Sequence, residues 1–173
     1  MASRMPVMSG QAYRAGAFAL SLAIGVILAA WAFEKIGRYA PCPLCLQQRY
    51  AYYAGIPALF AALVLVAASR GRWAGLLFFA VALGFLANAG LGLYHAGIEW
   101  EFWPGPDSCS GELTPLKSGG AGILGGLEGT SVPSCTKALW RFLGLSFAGW
   151  NVVASFLAFV AALKAAFAAA EQA

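Results

Sequence analysis

Four long stretches without a charged side chain decide what this chain can fold into: Ala15–Phe33, Tyr50–Ala68, Trp73–Leu93 and Leu143–Ala162. An α-helix rises ~1.5 Å per residue, so about 20 residues cross the ~30 Å hydrocarbon core of a bilayer. Each stretch has about that length. Lipid offers a backbone N–H or C=O no partner, so such a segment spans as a helix. Composition agrees, because 61% of residues are hydrophobic and only 10% are charged, against ~25% charged in a soluble domain. The expected fold is all-α, an integral membrane four-helix bundle forming a single domain over residues 1–173. Ala30-Trp31-Ala32 resembles a signal-cleavage site, but the apolar run before it exceeds the ~7–15 residues of a signal peptide, so it reads as a span. Pro57 lies inside the second span and should kink it. The net charge is +4, yet the basic residues form no stripe or cluster, which argues against nucleic-acid binding.

Four spans place both termini and the turn Ser69-Arg70-Gly71-Arg72 on one side. Loops 34–49 and 94–142 then share the other side, and all four cysteines, Cys42, Cys45, Cys109 and Cys135, fall in those two loops. The shorter connections carry basic residues at the higher density, which favours cytoplasmic termini. Paired cysteines suit an oxidising compartment on the opposite face. Trp100, Trp103 and Trp140 sit near span ends and read as interfacial anchors. Six glycines between Ser118 and Thr130 should make that part of the long loop mobile.

The chemistry concentrates in Pro41-Cys42-Pro43-Leu44-Cys45-Leu46-Gln47-Gln48-Arg49. A two-residue gap closes too small a ring to constrain an unfolded chain much, so redox chemistry explains the pair better than a structural crosslink. At a helix start, the free N–H groups and the helix dipole should favour thiolate at Cys45. Arg49, one turn further on the same face, supplies a fixed positive charge. For Cys109 and Cys135 alone, a structural disulfide is equally reasonable. Zinc fits poorly, because only one pair has ligand spacing. A thioredoxin-like domain lacks its βαβ surroundings. His95, the single histidine, is by default an interfacial residue, and its side of the membrane also makes it a candidate donor to a ligand. Asn88 and Asn151 read as interhelical hydrogen-bonding groups. A membrane dithiol must pass its electrons on. With no haem, flavin or nucleotide motif in the sequence, a lipid-soluble carrier such as a quinone is left by elimination.

The segment Cys42-Pro43-Leu44-Cys45-Leu46-Gln47-Gln48-Arg49 resembles the DsbB family of bacterial membrane disulfide-bond oxidoreductases. Tyr94–Trp100, Trp140–Asn151, the four spans and the second cysteine pair add to the likeness. The Gly-rich stretch 118–129 departs from it. The resemblance implies a bacterial inner-membrane enzyme with two periplasmic loops, each carrying a cysteine pair. It implies that a DsbA-like thioredoxin-fold partner attacks Cys109 of a Cys109–Cys135 disulfide, and that Cys135 is then freed to attack Cys42 or to release the oxidised partner. Cys45 becomes the thiolate facing a quinone, either ubiquinone or menaquinone. Arg49 and His95 would bind that quinone. Two other readings stay open: a non-enzymatic membrane scaffold with structural disulfides, and a vitamin-K-epoxide-reductase-like quinone reductase. Gln47-Gln48-Arg49 favours the DsbB-like one.

Overall fold

The computed structural model describes residues 5–106, 134–138 and 140–171. It contains four long helices, α1 (Met5–Lys35), α2 (Pro43–Ala67), α3 (Gly71–Glu99) and α4 (Phe147–Ala170). Each is long and apolar enough to cross a membrane, so the chain forms a four-helix membrane bundle. A small hairpin precedes α4, with β1 (Arg141–Phe142) antiparallel to β2 (Leu145–Ser146).

The helix ends follow local chemistry. Cys42 caps α2, and Pro43 occupies the first turn, where its missing N–H costs nothing. At the other end of α2, Ser69 takes a left-handed φ of 57°. Ser69 N–H then donates to Val66 O and Arg70 N–H to Leu65 O, which closes the last turn. The end of α3 is built the same way around Glu101 (φ 61°), with Phe102 N–H donating to Gly97 O at 2.9 Å. The chain turns back there, and Trp103 packs over Gly97, where an added Cβ would lie 2.1 Å from the indole.

The sequence placed the third span's end at Leu93 and the fourth span's start at Leu143. The structure moves both. Helix α3 runs on to Glu99, which puts Tyr94–Glu99 on a helix instead of in the loop. Leu143 (φ 51°) and Gly144 (φ 81°) form the two-residue turn of the hairpin. That conformation delays α4 until Ser146, whose Oγ accepts from Gly149 N–H at 3.2 Å. Helix α2 continues through Pro57.

Small residues face inward and large ones outward. Ala158, Ala161, Ala162, Ala165, Ala166 and Ala169 of α4 are buried, while Phe18, Phe60, Leu76 and Phe156 are more than half exposed, as lipid-facing side chains are. A Cβ on Gly75 would come within 3.2 Å of Ala166 O, so α3 and α4 touch almost backbone to backbone there. Lipid gives no hydrophobic drive for such contacts, and close packing supplies the attraction instead. Asn88 and Asn151 do hydrogen-bond between helices. Tyr52 Oη donates to Asn151 Oδ1 at 2.8 Å and lies 2.9 Å from Ser155 Oγ, and Asn88 Nδ2 donates to Ser155 Oγ at 2.9 Å. This cluster pins α2 and α3 to α4. Tyr52→Phe keeps the ring and removes the shared hydroxyl. It should lower stability by about 0.6–1.7 kcal/mol in detergent-monitored unfolding.

Candidate functional site

The connection between α1 and α2, the end of α3 and the start of α4 meet at one end of the bundle. They enclose a cavity of about 460 Å³. Its wall is largely apolar and aromatic, and includes Phe33, Tyr39, Trp140 and Phe147. Trp140 stacks on Phe147 with ring centroids 4.9 Å apart and forms part of that wall. The polar groups of the wall include Cys42, Cys45, Gln48, Arg49, His95 and Glu99. Ligand pockets have this general form, an apolar surface with a few convergent polar groups and a volume of ~300–1,000 Å³.

Local sequence explains the placement. The extended backbone of Cys42 begins α2 and turns its sulfur back over the first turn, where Sγ accepts from Cys45 N–H at 3.2 Å. Cys45 follows inside that turn, and its sulfur lies 2.6 Å from that of Cys42, only slightly beyond the ~2.0 Å of a disulfide bond. Both are thiols here. Gln48 and Arg49 come one turn later. Gln48 Nε2 lies 2.9 Å from His95 Nδ1 on α3. An amide nitrogen only donates, so Nδ1 accepts and the ring proton sits on Nε2. That N–H faces two acceptors, Cys42 Sγ at 3.7 Å and Glu99 Oε1 at 3.8 Å. Arg49 Nη1 donates to Glu34 Oε2 at 2.6 Å, which draws the guanidinium to the α1 side of the cavity.

The electrostatics single out Cys42. Its thiol is held well below the usual thiol range, first by its contact with the Cys45 side chain, with His95 adding to the effect and burial opposing it. The sequence led to Cys45 as the activated thiolate. In this dithiol state the cap position belongs to Cys42 instead, so the first turn's N–H points at Cys42 Sγ and the Cys45 sulfur lies beside it.

Four of the candidate residues, Cys42, Cys45, Arg49 and His95, therefore line one cavity. A fifth, Cys135, is buried and disulfide-bonded. Its sulfur, the Cys42 sulfur and a ring nitrogen of His95 lie within 4.8 Å of one another. Cys109 and the Gly-rich stretch 118–129 lie outside the described residues. Sequence reasoning missed Glu34, Gln48 and Glu99 as site residues. The spacing of His95 and Glu99, one helical turn apart, would have pointed to Glu99 had the third span been carried past Leu93.

A four-span bundle whose helix-capping cysteine pair faces an apolar cavity, with a disulfide packed against it, defines a membrane thiol–disulfide oxidoreductase. The chain belongs to the DsbB family, matching the family described as Disulfide bond formation protein DsbB over residues 13–165. Its relatives include Disulfide bond formation protein B of Marinobacter nauticus, 31% identical over 75% of this chain and 76% of that one. The protein of the same name from Polaromonas sp. is 36% identical, with 70% and 68% covered. That of Methylococcus capsulatus is also 36% identical, with 74% and 77% covered. No solved structure matches significantly.

The dithiol should react with a thiol-alkylating agent at Cys42 before Cys45, with a midpoint well below that of an ordinary thiol. His95→Ala removes a donor to the thiolate, so the midpoint should rise. Mass-spectrometric mapping of alkylation against pH checks both outcomes.

Proposed function

We propose that this disulfide-forming membrane oxidoreductase reoxidises a periplasmic DsbA-like thioredoxin-fold protein and delivers the electrons to a membrane quinone, ubiquinone or menaquinone. On this reading the protein is a single unit in the bacterial inner membrane. Its cysteine-bearing end faces the periplasm and both termini are cytoplasmic. The observation that carries the proposal is the approach of Cys135 to Cys42, whose sulfurs lie within 4.8 Å. Two redox pairs from distant parts of the chain are thus within reach of direct exchange.

The exchange begins with Cys42 and Cys45 as a disulfide. A partner thiolate attacks Cys109, forming a mixed disulfide and releasing Cys135 as thiolate. Cys135 attacks Cys42, breaking the Cys42–Cys45 bond and expelling Cys45 as thiolate. The partner's second thiol resolves the mixed disulfide and frees Cys109, which attacks Cys135 and releases Cys42. The partner leaves oxidised, Cys109–Cys135 is restored, and two reducing equivalents rest on Cys42 and Cys45. Each step is thiolate exchange governed by access and leaving-group pKa. While Cys42 is joined to Cys135, Cys45 carries the charge at the start of α2, facing the cavity. A quinone bound there would accept two electrons and two protons as the Cys42–Cys45 bond re-forms. The cavity suits it, being apolar and aromatic-walled with polar groups to meet the oxygens of a planar ring. Arg49, tethered by Glu34, offers its positive charge to that region. His95 holds its proton on Nε2 toward the sulfurs.

The test is an anaerobic mixture of the purified protein, a reduced thioredoxin-fold dithiol protein and a short-chain ubiquinone, followed by quinone absorbance. Quinone loss should match thiol loss and vanish in Cys42→Ser. A Cys42→Ser protein that inserts normally and still oxidises the partner would sink the relay. Arg49→Ala should mainly raise the apparent KM for quinone, by roughly tenfold if one charge-assisted contact of ~1.4 kcal/mol is lost. An unchanged quinone dependence would remove Arg49 from the site.

A further inference from the structure

Glu99 has no assigned part in this chemistry, yet it lies in the same cavity wall as the two thiols. Its side chain is only 6% exposed. Oε1 faces the His95 N–H at 3.8 Å, and Oε2 is buried without a hydrogen-bond partner. A buried carboxylate oxygen without a partner is costly, and a protonated carboxyl removes most of that cost. The groups around it are His95 on its own helix, Arg141 of β1, the Ser146 hydroxyl at the cap of α4, and the two cysteines of α2. His95 offers one N–H to two acceptors, Cys42 Sγ and Glu99 Oε1. The Ser146 hydroxyl also bonds the carboxyl, but the His95 N–H is the donor that thiolate and carboxylate share; two buried anions on either side of it repel each other, and the pair settles by sharing one proton.

We propose that Glu99 is the proton store of the dithiol site: it carries the proton that Cys42 gives up on becoming thiolate, and releases it into the cavity as the Cys42–Cys45 bond closes. This rests on the quinone-coupled reading above and adds to it a residue and a proton route. The balance is complete. Closure takes two electrons from the sulfurs, one proton from Cys45 S–H and one from Glu99, and the quinone receives all four. Glu99 ends as carboxylate beside the His95 N–H, which no longer has a thiolate to serve.

The test uses the full-length reduced protein in detergent, wild type against Glu99→Gln and Glu99→Asp. Infrared spectra of the wild-type dithiol form without quinone should contain a protonated-carboxyl C=O band, absent in Glu99→Gln and weakened when Cys42 is alkylated. The pH midpoint for Cys42 alkylation should fall in Glu99→Gln, because no second anion competes for His95. On mixing with a short-chain ubiquinone, Glu99→Gln should reduce it about 10²-fold more slowly, as expected for loss of a positioned proton donor. Glu99→Asp should recover part of that rate. A carboxyl band unchanged by Glu99→Gln, or an unmoved alkylation midpoint, would overturn the proposal. If instead wild-type protein fails to reduce quinone, the acceptor assignment falls, while the infrared band and the alkylation midpoint still decide whether Glu99 holds the proton.

Discussion

A bilayer gives a buried polar group nothing to bond with, and the polar side chains of this protein are arranged around that constraint. They gather in two places. Deep in the bundle, Tyr52, Asn88, Asn151 and Ser155 hydrogen-bond one another across three helices, with Asn151 Nδ2 left without a partner. At the cysteine end, Gln48, His95, Cys42 and Glu99 form a chain in which each group depends on its neighbour. Gln48 fixes the tautomer of His95, and His95 then presents one proton to the sulfur and the carboxylate. Because the surroundings are largely apolar, each contact has more electrostatic effect than it would in water. The same surroundings make the sulfur reactive, since a thiolate with several donors aimed at it is favoured over the thiol.

Much of this was legible in the sequence. The four charge-free stretches gave the bundle, and the placement of Cys42 and Cys135 outside them fits the approach of their sulfurs. Asn88 and Asn151 were recognisable as interhelical partners because strongly polar residues inside a span need one. The helix ends were harder to place. Leu143-Gly144 looks like the apolar start of a span, and only the left-handed backbone at both residues reveals a hairpin. Glu99 was hidden for a related reason. The span was drawn to end with the apolar run at Leu93, whereas backbone hydrogen bonding carries α3 on until Glu101 turns the chain. The choice between Cys42 and Cys45 also depends on geometry that spacing does not encode. Both flank the start of α2, but only the residue just outside the helix can bend its sulfur back onto the first turn.

Cys42 therefore has three partners with different demands. Cys45 N–H and the His95 ring stabilise its charge, and the Cys135 sulfur lies within 4.8 Å of its own. A charged sulfur beside a disulfide is the arrangement that thiol exchange requires. Arg49 stands apart from this group, held by Glu34 on the α1 side, so the cavity has a cationic edge and a sulfur edge. That separation sets two different chemical environments within one cavity.

The alanine face of α4 has a consequence at the opposite end of the molecule. Near Gly75 and Ala166 the backbones of α3 and α4 are almost in contact, whereas Phe147, Trp150 and Asn151 on the same helix border the cavity. At that cavity end a Cβ on Gly92 would likewise lie 3.0 Å from Val152 and 3.4 Å from Ala148 O, so α3 and α4 are held close at both ends of their contact. Room beside the thiols therefore lies toward α1 and α2, whose residues Ile27, Phe33 and Gln48 line the cavity. A larger side chain at Gly75 or Gly92 would part the two helices and carry His95 away from Cys42.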